Sequence, residues 1–242
     1  MILVLLPGLD GTGELFAPFL ATLPQSLPVQ VISYPNDQLL PYKELESFVR
    51  TCLPKNQDFV LLAESFSGPI AYRIASNPPA NLKQVIFVAT FLKSPHPILL
   101  KLALLFPLQA RKKLSFPRWI ENLFLLDKSV GEDLRQVFRK DLSQLDPKLV
   151  AFRLREISRL VFEKHRINLP VTYLRARNDW LVPKSSLNRF QEVCRHLTTY
   201  EIAGPHFLLQ INPRACVDVL INSPESPLYH CDKMDYAKTT HQ

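Results

Sequence analysis

The stretch 58–75, DFVLLAESFSGPIAYRIA, constrains the fold of this chain more than any other. Phe59, Val60, Leu61, Leu62 and Ala63 form a continuous apolar run, the pattern of a strand covered on both faces. Ile70, Ala71, Ile74 and Ala75 then recur at helical spacing. Between them stands Ala63-Glu64-Ser65-Phe66-Ser67-Gly68, a G-x-S-x-G variant with small residues, Ala63 and Ser67, in place of both glycines. A strand that turns at once into a helix brings backbone very close to its serine, so small neighbours are required. Ser65 should project from the sheet edge at the start of the helix. On its own the serine could equally be a helix cap.

Further apolar strand candidates fall at 2–6, 29–33, 84–89, 171–176 and 199–203, most of them separated by helix-length amphipathic segments. Helices are expected at 14–23, 42–53, 68–76, 184–196 and 207–221. Repeated strand-then-helix order implies a parallel sheet with helices on both faces. The segment 92–169 breaks the order: no strand is evident and Leu, Phe, Arg and Lys dominate, with helical runs at 98–106, 119–126, 132–138 and 149–162. It reads as an all-helical insertion covering the sheet edge as a lid. The core then comprises 1–91 and 170–223, and the polar tail 224–242 offers no evident core element.

The net charge of +7 is concentrated in the insertion, which carries 16 Lys+Arg against 8 Asp+Glu. Such a surface is either a solvated helix face or a dock for an acidic acyl carrier protein or an anionic membrane surface. Nucleic-acid binding is not expected, because no RNP pattern, zinc spacing or recognition-helix motif is present. The opening MILVLL runs into Pro7-Gly8 without a basic segment, as a buried strand does and a signal peptide does not. The apolar stretch 97–108 is too short and interrupted to span a bilayer. Cys52, Cys194, Cys216 and Cys231 lack framework spacing and read as free thiols of a reducing, cytoplasmic compartment.

A serine hydroxyl is a weak nucleophile and needs a base, itself oriented by a third group. A later strand, VTYLRA, leads to Arg177-Asn178-Asp179-Trp180-Leu181-Val182-Pro183, and TYEIA leads to Gly204-Pro205-His206-Phe207-Leu208-Leu209-Gln210. Asp179 is alternatively a turn or capping residue. The remaining histidines, His96, His165, His196, His230 and His241, are expected at the surface, His196 on an amphipathic helix.

In order, and over about 220 residues, AESFSG, RNDWLVP and GPHFLLQ resemble their counterparts in the α/β-hydrolase superfamily. The resemblance implies an α/β-hydrolase fold, here a mostly parallel sheet of about six strands, because Met1 begins on the strand that two others usually precede. It implies Ser65 as nucleophile, His206 as general base then acid, and Asp179 as the orienting carboxylate. The loop Leu6-Pro7-Gly8-Leu9-Asp10-Gly11-Thr12-Gly13 resembles the family's H-G-x segment, with Pro7 where histidine is commoner. By that match the oxyanion donors are the backbone N–H groups of Leu9 and Phe66. The loop is also similar to the opening of phytyl ester synthase-type acyltransferases. Its glycines give G-x-x-G-x-G with no Lys-Ser/Thr behind them, which argues against a phosphate-binding loop.

Glu64 reads as a structural carboxylate pointing away from the reaction site, and Asp10 either braces the loop or touches substrate. Phe91, Trp180, Leu181 and Phe207 flank the proposed site as candidate substrate contacts or as ordinary core. No metal-ligand cluster is evident, and no cofactor is expected. The expectation is a serine hydrolase acting on esters or thioesters of an apolar acyl group. The same residues also permit acyl transfer or release from an acyl carrier. A catalytically silent basic binding module is the reading from outside enzymology.

Overall fold

The computed structural model describes residues 1–97, 136, 145–222 and 226–228. The runs expected at 98–106, 119–126 and 132–138, like most of the tail, lie outside these residues apart from Gln136. Six strands, β1 (Ile2–Leu6), β2 (Val29–Val31), β3 (Phe59–Glu64), β4 (Leu82–Val88), β5 (Ile167–Ala176) and β6 (Cys194–Ile202), form one sheet in the order β2-β1-β3-β4-β5-β6. Every neighbouring pair is parallel. The helices are α1 (Ala17–Leu20), α2 (Tyr42–Cys52), α3 (Gly68–Ser76), α4 (Pro147–Ser158), α5 (Leu187–Val193), α6 (Leu208–Ile211) and α7 (Pro213–Asn222).

Alternation along the strands divides the core into two layers. Val4, Leu6, Phe59, Leu61, Ala63, Val85 and Phe87 meet α2, α3 and α5 on one face through Leu45, Val49, Ile70, Ile74 and Phe190. Leu3, Leu5, Val60, Leu62, Ile86 and Val88 meet α1, α6 and α7 on the other through Phe19, Leu208, Leu209, Cys216 and Leu220. The central strands are covered on both sides, which is why their sequences are apolar without interruption. Leu228, from the segment read as a tail without core residues, is also wholly buried in the second layer.

Several elements differ in extent from the sequence expectation. The helix expected at 14–23 is a 3-10 turn, Glu14–Phe16, followed by the short α1 with Pro18 in its first turn. That expected at 207–221 breaks into α6 and α7 at Pro213, which lacks the N–H needed to continue a helix. β5 starts at Ile167 because Pro170 sits at an irregularity in the β5–β6 ladder, while on the other side β4 pairs only from Val171 onward, so the missing N–H costs no ladder bond there. His196 is not helical: α5 ends at Val193, and His196 pairs with Pro170 as an exposed residue of edge strand β6. The first half of β6 is an open edge, so it carries Arg195, His196, Thr198 and Thr199 rather than an apolar signature.

β1 is flanked by β2 and β3, so the chain leaves it in one direction and returns on the other. In an open parallel sheet this reversal opens a crevice at the carboxyl ends of the strands, the usual ligand position. The loops after β1 and β3, which carry LPGLDGTG and Ser65, meet there.

Candidate active site

Ser65 follows directly on β3 and adopts φ 47°, a left-handed conformation that a non-glycine residue rarely takes. The strain is held by neighbours. The Thr90 hydroxyl, just past β4, donates to the Ser65 carbonyl, and the Tyr173 hydroxyl on β5 donates to the Thr90 carbonyl at 2.7 Å. A Cβ on Gly68, at the start of α3, would overlap the Thr90 side chain, so the close approach of helix to β4 requires glycine there.

His206 and Asp179 arrive from the loops after β6 and β5. Asn178 N–H donates to the Gly204 carbonyl at 3.1 Å, and Arg177 N–H to the Ile202 carbonyl at 2.9 Å, which lash the two loops together. The Leu181 and Val182 N–H groups donate to Asp179 Oδ1 at 2.9 and 2.8 Å. Asp179 Oδ2 is thereby aimed at His206 Nδ1, 2.9 Å away, and His206 Nε2 lies 2.8 Å from Ser65 Oγ. The His206 and Asp179 side chains are 6% and 3% exposed. Burial opposes charging of His206, but the charge and hydrogen bond of Asp179, with the charge of Glu64, prevail and raise its pKa. An imidazole so placed is a stronger base toward the serine hydroxyl than one in water.

The loop after β1 is braced internally. Asp10 Oδ2 accepts from Thr12 N–H at 2.9 Å, Thr12 hydroxyl at 2.8 Å and Gly13 N–H at 3.2 Å. Gly11 N–H closes a turn onto the Gly8 carbonyl at 3.2 Å. The Leu9 N–H finds no acceptor among the described residues. Ser67, in the place of a motif glycine, donates its hydroxyl to the Pro7 carbonyl and meets the Tyr34 hydroxyl, joining the serine turn to this loop. Phe66 is buried against Tyr42, whose ring stacks at 4.8 Å and whose hydroxyl donates to the Phe66 carbonyl at 3.1 Å, so its ring is packed into the core.

Glu64 lies close to the same loop, against Gly8, on the strand face that carries Val60 and Leu62. A Cβ on Gly8 would come 3.3 Å from Asp10 Oδ1 and 3.8 Å from Glu64 Oε2, placing both carboxyl groups against that glycine. Glu64 Oε2 accepts from Gln210 Nε2 at 3.3 Å. Desolvation first, then the Asp10 charge, push the Glu64 pKa up to about 7.

Of the candidate substrate contacts, Phe207 packs edge-on against the His206 ring at 5.4 Å and Leu181 is half-buried. Phe91 is enclosed in the α2–α3 layer, and Trp180 is 74% exposed, with its carbonyl 3.1 Å from His96 Nε2. Burial pushes the Cys194 and Cys216 thiols up to about 12, so neither is a thiolate nucleophile near neutral pH.

Sequence reasoning passed over Arg153. It lies on α4 within the basic segment and is 2% exposed. Its spacing from Leu149, Val150 and Ile157 puts it on the buried stripe of the helix, a signal readable in the sequence. Among the described residues no three His, Cys, Asp or Glu side chains are grouped to hold a metal ion, and no helix is long and apolar enough to cross a membrane.

No family model matches the sequence, and no curated protein matches it. Solved structures do. The enol-lactonase of Burkholderia xenovorans LB400 superposes with a TM-score of 0.77 at 13% identity, covering 91% of this chain and 89% of its own. MenH from S. aureus gives 0.74 at 13% identity, with 92% of each chain covered. A bromoperoxidase from Bacillus anthracis gives 0.71 at 16%, covering 91% of this chain and 90% of its own. The fold is that of the α/β hydrolases. Likeness at these identities establishes the architecture; the chemistry rests on the residues themselves.

Proposed function

We propose that the protein is a serine hydrolase that cleaves esters or thioesters of an apolar acyl group through an acyl-enzyme. One observation carries the reading: the buried, unbroken chain of hydrogen bonds from Asp179 Oδ2 through His206 to Ser65 Oγ, at 2.9 and 2.8 Å, at the crevice where the sheet order reverses. As Ser65 Oγ bonds to the substrate carbonyl carbon, His206 Nε2 takes its proton and Asp179 stabilises the imidazolium. The carbonyl oxygen becomes an oxyanion, accepted by the N–H groups of Leu9 and Phe66. Collapse expels the alcohol or thiol, which leaves with the proton from His206. Water then attacks the acyl-enzyme by the same steps in reverse and frees the acid.

Phe207, whose ring packs edge-on against His206, and Leu181, whose N–H binds Asp179, are the residues assigned to meet an apolar acyl group. The similarity of LPGLDGTG to acyltransferase loops favours a second acceptor, an alcohol in place of water, on the same acyl-enzyme. An acidic carrier or anionic lipid surface would meet the basic segment, most of which lies outside the described residues.

The test is turnover of p-nitrophenyl acyl esters and acyl thioesters across chain lengths, together with labelling by a fluorophosphonate. Ser65→Ala is expected to abolish both. Labelling that survives the substitution would overturn the assignment. Product analysis with a long-chain alcohol present separates hydrolysis from transfer.

A further inference from the structure

An arginine on the buried stripe of a helix is costly to desolvate and needs a full set of acceptors. Arg153 finds them in the loop after β1. Its Nη1 donates to the Leu9 carbonyl at 2.8 Å and to the Asp10 carbonyl at 2.6 Å, and its Nη2 to Asn36 Oδ1 at 3.2 Å. The Tyr34 and Phe66 rings flank the guanidinium, each centroid 5.9 Å from Cζ. Leu9 and Asp10 are the two central residues of the turn closed by Gly11 N–H on the Gly8 carbonyl. Gly11 lies so close beneath the guanidinium that a Cβ there would come 2.5 Å from Nη1.

Peptide units are planar, so fixing a carbonyl fixes the N–H on the other side of the same unit. The Gly8 carbonyl is held by the turn, which orients the Leu9 N–H. The Leu9 and Asp10 carbonyls are held by Arg153, which stops the turn from rotating about its ends. We infer that Arg153 is the positioning residue of the oxyanion hole, a side chain from α4 that clamps the Gly8–Gly11 turn so that the Leu9 N–H stays aimed at the developing oxyanion. The inference rests on the hydrolase reading above. Arg153 itself touches no substrate: it is enclosed, and its partners are the loop, Asn36 and two rings.

A positioning role acts on the tetrahedral state and leaves ground-state binding alone. Arg153→Met in the full-length protein is therefore expected to lower kcat by about 10²-fold, the scale of losing one oxyanion donor, with little change in KM. The affinity of a trifluoromethyl ketone, which forms a tetrahedral adduct on Ser65, should fall in step with kcat/KM. The affinity of the matching methylene ether, which cannot form the adduct, should not move. Arg153→Lys keeps the charge but not the two-pronged fork, and should recover part of the loss. It also carries the comparison if the Met variant does not fold.

Unchanged kcat and trifluoromethyl ketone binding in these variants of an active enzyme would overturn the inference alone. So would an equal loss of both inhibitors, which marks general collapse, or a KM effect confined to anionic substrates, which marks a ligand anchor. A wild-type protein without Ser65-dependent turnover would overturn the hydrolase reading, and this inference with it.

Discussion

Replacing Glu64 with glutamine tests the electrostatics of the site without touching the reacting groups. Glu64 is 4% exposed, Oε2 accepts one bond from Gln210, and Oε1 has no partner among the described residues. Burial and Asp10 raise its pKa from 4.5 to about 7. Between those values the folded protein holds a proton that the unfolded chain releases, so stability must fall as pH rises through this window. At about 1.4 kcal/mol for each tenfold change in acidity, the whole effect is about 3 kcal/mol. Glu64→Gln keeps the shape, still accepts from Gln210, and abolishes the titration. His206, with its raised pKa, also contributes stability that is full below pH 6.5 and lost as pH rises through its folded value; Asp179, the main cause of that rise, stays in both proteins, and only the smaller share from the Glu64 charge is lost in the variant. The difference between them therefore reports Glu64 together with its coupling to His206. Urea unfolding should show the variant gaining up to about 3 kcal/mol on wild type between pH 4.5 and 8. A difference that stays flat across this range would refute the reasoning.

The rate should carry a related signature. His206 must be neutral to accept the serine proton, so kcat/KM should rise with pH through an apparent pKa above the ordinary 6.5. Asp179→Asn removes the charge and reverses the hydrogen bond; a pH–rate profile should show the limb moving to lower pH and kcat falling about 10⁴-fold. Ser67→Ala strips the hydroxyl between Tyr34 and the Pro7 carbonyl and leaves buried polar groups without partners. It should cost about 1–3 kcal/mol in chemical unfolding, and an unchanged midpoint would show that the contact contributes nothing.

Strands sandwiched between helices were the legible part of the fold. β1 and β3 stand out because every side chain but that of Ile2 is buried, and their starts coincide with the apolar runs. The first half of β6 did not stand out, because an open edge selects no apolar pattern, and Pro170 hid the beginning of β5 because a proline at a ladder irregularity reads as a break. At the site, the chain order of Ser65, Asp179 and His206 was readable because each follows a strand. The supports were not. Arg153 is 144 residues from Leu9, and Tyr34 is 33 from Ser67, pairs that only the folded sheet brings together. Glu64, the last residue of β3, leaves the strand on the face of Val60 and Leu62 and meets Gln210 of α6, a partner 146 residues away that no local pattern announces.

The geometry of the elbow explains why this sequence departs from G-x-S-x-G where it does. Ala63 points into the α2–α3 layer, where a methyl group fills space that a glycine would leave empty. Ser67 uses its side chain to hold the loop after β1, a contact no glycine could make. The steric requirement has not vanished with the two glycines; it is met at Gly68, where α3 passes against Thr90. Thr90 is also the residue whose hydroxyl holds the Ser65 carbonyl in its left-handed conformation. A single contact between α3 and the end of β4 thus sets the helix close to the sheet and secures the strained serine. By this logic the turn accommodates the methyl of Ala63 and the hydroxymethyl of Ser67 in place of the two motif glycines, provided that Gly68 and Thr90 stay as a pair.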